Sequence, residues 1–311
     1  MASQAGFPFG AAPALAQAPS EEWPAGEPVG YYHGAWRRFR RDRTSMVALA
    51  IFLTICLLAL AAPLISEGLL GTDPVRQRLQ DRFAPPGAAH LLGADEYGRD
   101  QLTRLLYGAR VSISLGFIVA AISISLGTAI GLLAGYHGGL VDDLVNAVIQ
   151  VQRGVPFIYL LIMVAMVVPP TLLSLALLFG AWSWSGVSRG VRGQTLAGRQ
   201  RDYVDAARAL GVGGGRIMYR HILPNSGSIV LTLAAFDVAG TILAEAGISF
   251  LGFGIQPPTA SWGNMLTGSL EYVARAWWLV AAPGAAISLT VLCVFLIADG
   301  LRDALDPRLV E

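Results

Sequence analysis

The sequence contains no lysine, and charged side chains of any kind are scarce. Only 14% of the 311 residues are charged, against about 25% in an average soluble domain, which is too little to cover a water-facing surface. All 22 basic residues are arginine, and 21 acidic residues leave a net charge of +1. This balance excludes the strongly basic field by which many proteins bind nucleic acid. Without lysine, the chain also cannot form a standard P-loop for ATP.

Cysteine and histidine are rare as well. Cys56 and Cys293 lie in separate apolar stretches with no partner at metal-ligand spacing, which is typical of small buried apolar side chains. The four histidines occur singly, and none belongs to an H-E-x-x-H motif or another ligand pair. We therefore expect no metal and no cofactor bound by this chain.

Apolar residues, in contrast, are abundant and occur in long runs. They make up 54% of the chain, and the mean hydropathy is +0.55. A helix needs about 20 such residues to cross a bilayer. The apolar stretch at 155–184 contains Pro169 and Pro170, which one helix cannot accommodate, so we divide it. The sequence thus predicts an all-α polytopic membrane protein with six transmembrane helices, at residues 46–66, 111–135, 144–168, 171–188, 229–247 and 278–298.

Clusters of arginine predict the orientation of these spans. Five arginines lie at 37–43, directly before the first span, and seven lie at 189–220. Such clusters beside a span mark the cytoplasmic side. Four predicted spans separate the two clusters, so both face the cytoplasm, and six spans place both termini there. Residues 67–110 carry six arginines although they must then lie outside; we predict a small folded extracytoplasmic subdomain for them.

The same pattern divides the chain into regions. Residues 1–35 are rich in alanine, proline and glycine and are predicted to be a disordered cytoplasmic tail. Residues 36–110 hold the first span and the extracytoplasmic loop. Residues 111–305 form the core of the transmembrane domain, with a cytoplasmic loop at 189–225, and residues 306–311 are a cytoplasmic C-terminal tail.

Small residues recur at every fourth position of the second span, at Ser123, Gly127, Gly131 and Gly135. Residues at this spacing share one helix face, and such a face lets another backbone approach closely. We favour packing within the chain over the alternative, a subunit interface.

One short motif matches the sequence pattern of a catalytic site. Residues 186–190 read G-V-S-R-G, which matches the nucleophile elbow of serine hydrolases with Ser188 as the nucleophile. That elbow requires a preceding strand and a later histidine and acid. Here a predicted span precedes it, and the only later histidine, His221, lies in the basic loop. A membrane hydrolase is therefore the less favoured alternative.

The cytoplasmic loop contains a predicted amphipathic helix. Tyr203, Ala206, Ala207 and Leu210 fall at i, i+3, i+4 and i+7, which places them on one face. Gly211 follows where a left-handed C-cap is expected. From composition alone, this helix either docks in the groove of another protein or lies at the membrane surface. A second short helix is predicted at 216–223, ended by Pro224.

The residues of this loop resemble a known motif. The matching residues here are D-A-A at 205–207, Gly211 and H-I-L-P at 221–224. With them the loop resembles the EAA loop of importer-type ABC permeases, in which E-A-A, a glycine and I-x-L-P follow one another at fixed spacing. Asp205 replaces the glutamate of the pattern, and His221 replaces its isoleucine. The resemblance implies that the following residues couple the chain to ATPase subunits: Tyr203, Asp205, Ala206, Ala207, Gly211, His221, Leu223 and Pro224.

The resemblance extends from residue 37 to the end of the chain. Three further stretches look like the matching stretches of dipeptide and oligopeptide permeases: LGADEYGRD at 92–100, SFLG at 249–252 and DGLRDALDPR at 299–308. The chain is most similar to the second, C-type permease of the peptide and nickel branch. This implies the MetI-like importer permease architecture, in a multi-pass protein of a prokaryotic plasma membrane, surrounded by lipid.

The same resemblance implies a set of partners. These are a homologous second permease, two ATP-binding subunits that carry ATP and magnesium, and an extracytoplasmic solute-binding protein. Together they would import dipeptides or oligopeptides, or alternatively nickel or another small solute.

Two carboxylates lie inside the fifth predicted span. Asp237 is about 12 Å from its start, and Glu245 is about 12 Å further along. A carboxylate within a bilayer is costly unless it faces a cavity, a partner or water, so both are candidates for the translocation path. Glu245 has a second interpretation as a structural hydrogen-bond acceptor. In a secondary carrier, a less favoured alternative, the two would bind the coupling ion.

Overall fold

The structure, a computed structural model, describes residues 31–305. Helices are the only regular elements in this range apart from an isolated bridge between Ala94 and Asp100. In chain order the α-helices are α1 (Tyr31–Arg41), α2 (Arg43–Leu60), α3 (Gln101–His137), α4 (Gly139–Gly154), α5 (Phe157–Ala165), α6 (Leu172–Gly198), α7 (Asp202–Ala209), α8 (Gly214–Ile217), α9 (Leu223–Asn225), α10 (Gly227–Phe250) and α11 (Trp278–Leu305).

The predicted tails lie mostly outside the described residues, which exclude 1–30 and 306–311. For residues 31–35 the prediction of disorder is wrong, because they form the first turn of α1. Ala35 and Phe39 on this helix are buried, and α1 packs against α11. This buried contact stabilises a helix in a stretch whose composition predicted disorder.

By length and composition, four described helices can cross a membrane: α2, α3, α10 and α11. The pair α4 and α5 meets the same test when taken together, but the two are bent by 75°. The continuous span predicted at 144–168 is therefore wrong. Val155 is extended (φ −99°, ψ 118°), because the following Pro156 disfavours helical backbone in the residue before it. The predicted division at Pro169 and Pro170 is confirmed, since α5 ends before the pair and α6 begins after it.

Helix α3 forms the centre of the bundle. Its contact with α6 is the most extensive between any two described elements, and α10 also packs against it. Helix α11 in turn packs against α10 and α2. The start of α2 is set by Asp42, whose carboxylate accepts hydrogen bonds from the backbone N–H groups of Thr44 and Ser45 (both 3.1 Å). Hydrogen bonding, led by the Ser45 hydroxyl, lowers the pKa of Asp42.

The ridge of small residues on α3 is the face that meets α6. A Cβ atom on Gly131 would lie 2.6 Å from the carbonyl oxygen of Ser188. A Cβ atom on Gly127 would lie 2.6 Å from the Cβ atom of Val187. A Cβ atom on Gly135 would lie 2.6 Å from the Cβ atom of Thr195. These separations leave no room for a methyl group. The interpretation as packing within the chain is confirmed.

The segment between α2 and α3, residues 71–100, is folded around a buried carboxylate. Asp95 accepts hydrogen bonds from the backbone N–H of Tyr97 (2.8 Å) and of Arg99 (2.9 Å). Its Oδ2 also lies 2.6 Å from Nε of Arg99 and 3.5 Å from Nε of Arg104. Glu96 Oε1 also lies 3.7 Å from Nη2 of Arg99. Two of the six arginines counted in this region are thus buried and paired with acids of the same segment rather than exposed.

This segment also packs against the one between α10 and α11. The ring of Phe83 lies 4.8 Å from that of Tyr272, between centroids. The indole Nε1 of Trp278, the first residue of α11, donates to the carbonyl of Ala94 (3.1 Å). The two segments therefore form one folded unit at the end of the bundle where α3 and α11 begin.

Candidate functional site: the α7 surface and two polar clusters

The predicted amphipathic helix is present as α7, Asp202–Ala209. It ends in a Schellman arrangement, in which the N–H of Val212 donates to the carbonyl of Ala207 (3.0 Å). Gly211 has a φ of 76°, the left-handed conformation that glycine adopts without steric cost. The predicted C-cap is confirmed.

The orientation of α7 differs from the prediction. Val204 is fully buried and Ala207 is 7% exposed, and both pack with Leu132 of α3, Val191 of α6 and Ile217 of α8. The predicted common face of Ala206 and Ala207 is therefore wrong: Ala207 points into the chain's own core. The sequence signal for this was the i, i+3 pair of Val204 and Ala207, which belongs to the inward face.

The outward side of α7 carries the other candidate residues. Tyr203 is 40% exposed and Leu210 is 84% exposed, and Asp205 and Ala206 are exposed between them. We call Tyr203, Ala206 and Leu210 the α7 surface. It is a small apolar patch on a helix that is otherwise polar on this side.

The chain after α7 stays helical for longer than predicted. Helix α8 continues as a π-helical turn at Met218–Ile222 and then as α9. Pro224 does not end this segment, contrary to the prediction, because it occupies the first turn of α9, where its missing N–H is not needed. His221 and Leu223 are partly buried, and Pro224 is exposed. The structure thus brings Leu223 to the same cluster as Ala207, but not Pro224.

Polar contacts tie the α7 region to the C-terminal ends of α3 and α6. Arg199 Nη1 donates to the carbonyl oxygens of Gly135 and Tyr136 (both 3.2 Å), which are near the end of α3. Arg208 lies over the ring of Tyr136, 5.5 Å from its centroid, and pairs with Asp205 (3.0 Å). These contacts connect α7 and the end of α6 to the end of α3.

Asp237 joins three helices at the middle of α10. Its carboxylate accepts a hydrogen bond from Ser123 of α3 and also contacts the hydroxyl of Ser183 on α6. Asp237 is half-buried. No basic side chain pairs with it in the salt bridges found among residues 31–305.

Glu245, two turns further along α10, is fully buried. Its carboxylate accepts hydrogen bonds from the hydroxyls of Ser249 (2.6 Å) and Ser112 (3.3 Å) and also contacts Ser261. Ser112 Oγ in turn accepts from the backbone N–H of Trp262 (3.2 Å). This cluster connects α3, α10 and the segment before α11. Ser112 and Ser261 were not predicted, because neither shows a motif in the sequence.

The apparent nucleophile elbow has no catalytic geometry. Ser188 lies in the middle of α6 and is fully buried, with its carbonyl against Gly131. A substrate cannot reach its hydroxyl there. Within the range the structure describes, no three histidine, cysteine or acidic side chains group as metal ligands do.

Comparison with known proteins identifies the relatives of this sequence. Residues 127–311 match the family described as the binding-protein-dependent transport system inner membrane component. Residues 30–86 match the N-terminal TM domain of oligopeptide transport permease C.

Individual relatives cover nearly the whole chain. A Brucella abortus protein named as a peptide transport system permease is 42% identical over 88% of this chain and 90% of its own. The dipeptide transport system permease protein of Bacillus subtilis is 36% identical over 90% and 87%. The oligopeptide transport system permease protein of the same organism is 32% identical over 96% of each.

Proposed function

Since this chain belongs to the binding-protein-dependent transport inner membrane components, in the branch of the oligopeptide permease C proteins, we propose that it is the C-type permease of a dipeptide or oligopeptide ABC importer. It is a multi-pass inner membrane subunit, a transport component that is not itself catalytic. The observation that carries this proposal is the match over nearly the whole chain to relatives named for dipeptides and oligopeptides. The names of these relatives also favour peptides over nickel as the solute that the importer transports.

The topology we propose has six spans, formed by α2, α3, the bent pair of α4 and α5, α6, α10 and α11. Both termini then lie in the cytoplasm. Two observations support this. The arginine clusters at 37–43 and 189–220 require an even number of spans between them, and Arg99 and Arg104 of the segment placed outside are buried and paired with Asp95. We propose regions at 36–110 and 111–305, as expected from the sequence.

The family implies ATPase and binding-protein partners. In finer terms, we propose a homologous second permease, two ATP-binding subunits and one extracytoplasmic solute-binding protein. ATP and magnesium are bound by the ATP-binding subunits, in keeping with the lack of lysine and of any P-loop motif in this sequence.

The α7 surface is the coupling contact that we propose. An apolar patch on a short helix suits a groove in a partner, and Tyr203, Ala206 and Leu210 present such a patch. Val204 and Ala207 hold the helix to α3 and α6 from the other side. Movement of an ATPase subunit would therefore reach the spans through these buried contacts.

Two neighbouring alanines test this assignment. Ala206→Trp adds a large ring to the outward side and should overfill the partner's groove, which typically costs about 1–3 kcal/mol and would weaken the association about ten-fold. The thermal unfolding of the chain itself should not change. The measurements are co-purification of the ATPase subunits and ATP hydrolysis stimulated by the binding protein, in nanodiscs.

Ala207→Trp is the matched control, because it places the same ring in the chain's own core. It should lower the stability of the chain by about 1–3 kcal/mol, which is measurable as a lower unfolding temperature. Wild-type association and stimulation in Ala206→Trp would show that the ATPases bind elsewhere.

Asp237 is the residue that we propose for the translocation path, since it is half-buried and has hydroxyl rather than cationic partners. Asp237→Leu should insert in the membrane, lose about 1 kcal/mol of interhelical hydrogen bonding and transport peptide several-fold more slowly. Asp237→Asn keeps the hydrogen bonds without the charge. Uptake and stability equal to wild type in Asp237→Leu would remove Asp237 from the path.

For Glu245 we propose the structural role. Its carboxylate is enclosed by Ser112, Ser249 and Ser261, so it stabilises the junction of α3 and α10 rather than touching the transported solute. This selects one of the two interpretations that its position in the span allowed.

A further inference from the structure

Helix α1 is a short amphipathic helix that is separated from α2 by one residue, Asp42. Ala35 and Phe39 are buried on one side, where α1 packs against α11. Arg38 is also held there, since its Nε and Nη2 donate to the carbonyl oxygen of Ala304 near the end of α11 (2.9 and 2.8 Å). One side of α1 is thus fixed to the bundle.

The other side carries cationic and aromatic side chains. Arg37, Arg40 and Arg41 are exposed, as is Arg43 at the start of α2. Trp36, between the buried Ala35 and the exposed Arg37, is 52% exposed. We call these five residues the α1 surface.

The position of the α1 surface along the chain places it at a membrane boundary. Arg43 is the first residue of α2, a helix able to cross the bilayer, and Arg40 and Arg41 precede it by less than one helical turn. Charged groups this close to a bilayer lie within the Debye length of about 8 Å. They therefore interact with the charge of the lipid headgroups.

The charge of this region favours an anionic surface. The segment 37–43 has five arginines and one acid, Asp42, and Asp42 is engaged as the cap of α2. The nearby end of α11 carries two exposed acids, Asp299 and Asp303, and one exposed base, Arg302. Together they lower the net positive charge of this region by one, so the region stays positive. Tryptophan and arginine on one exposed face are typical of helices that lie at the headgroup level.

We propose that the α1 surface binds anionic phospholipid. The four exposed arginines bind the phosphate groups, and the indole of Trp36 inserts among the headgroups. The buried side, held through Ala35, Phe39 and Arg38, keeps the surface in this position. Because the C-terminal end of α11 is held by the same helix, anionic lipid stabilises the cytoplasmic junction of α1, α2 and α11.

The experiment is a lipid titration of the purified transporter by native mass spectrometry, with phosphatidylglycerol and phosphatidylcholine as probes. In Arg37→Gln/Arg40→Gln, the apparent Kd for phosphatidylglycerol should rise about 25-fold, since each of the two arginines near an anionic surface strengthens binding by about five-fold. Binding of phosphatidylcholine should not change. Arg38, Arg41 and Arg43 remain, which preserves the orientation of α2 and the contact with α11.

The matched control is Arg76→Gln/Arg78→Gln, which removes the same charge from exposed positions of the segment between α2 and α3. Its affinity for phosphatidylglycerol should equal that of wild type. Equal affinity in the α1 variant and wild type, or equal weakening in both variants, would overturn the proposal. So would an α1 variant that binds phosphatidylglycerol normally but loses the ATPase subunits, because the surface would then bind protein. Unlike the peptide-uptake assays, this titration does not depend on the transported solute.

Discussion

Asp95→Ala is expected to destabilise the chain by about 3–5 kcal/mol, the range found when one partner of a buried ion pair is removed. Arg99 is 6% exposed and Arg104 is 3% exposed, and both guanidinium groups would stay buried after Asp95 is lost. The backbone N–H groups of Tyr97 and Arg99 would also lose their acceptor. The measurement is chemical unfolding in detergent micelles, followed by intrinsic tryptophan fluorescence, to which Trp278, bonded to this segment, contributes.

Asp73→Ala is the matched control in the same segment. Asp73, like Asp95, accepts two backbone hydrogen bonds from the residues that follow it, from Val75 (2.7 Å) and Arg76 (3.0 Å). It is exposed and makes none of the salt bridges seen in the described chain. Its removal should lower stability by about 1 kcal/mol or less. If both variants lost the same stability, the buried charges at Asp95 would be irrelevant and the loss would come from the turn alone.

Gly131→Leu should separate α3 from α6, with a loss at or above the top of the ~1–3 kcal/mol range for overpacking. The first added carbon already lies 2.6 Å from the Ser188 carbonyl and 3.0 Å from Cβ of Val191. Backbone atoms cannot rotate away as a flexible side chain can. The expected result is a lower unfolding temperature together with lower expression.

Gly193→Leu on α6 is the control for this substitution. No atom lies within 4 Å of a Cβ built there, and leucine favours helix over glycine by up to about 1 kcal/mol. This variant should be as stable as wild type or more so. Equal losses in Gly131→Leu and Gly193→Leu would mean that the close approach of α3 and α6 does not limit stability.

The sequence by itself determined the class of this protein. Long apolar runs and the scarcity of charge indicate a membrane protein, because a surface this apolar is stable in the hydrocarbon interior of a bilayer and not in water. The loop motif at 205–224 and the stretches at 92–100 and 299–308 indicated the family that the comparisons show. Local backbone rules also held: Pro169 and Pro170 separate two helices, and Gly211 adopts the left-handed conformation expected of it. Each of these follows from a residue and its immediate neighbours.

The tertiary structure decided features that depend on contacts between distant parts of the chain. Ala207 faces inward because Leu132 and Ile217 form a core there, although the pattern within the helix placed it beside Ala206. Glu245 is enclosed because Ser112, 133 residues earlier, arrives from another helix. Arg104 has a buried acidic partner only because Asp95 is folded back onto it. Helical periodicity shows which residues share a face, but only the packing of helices determines what each face meets.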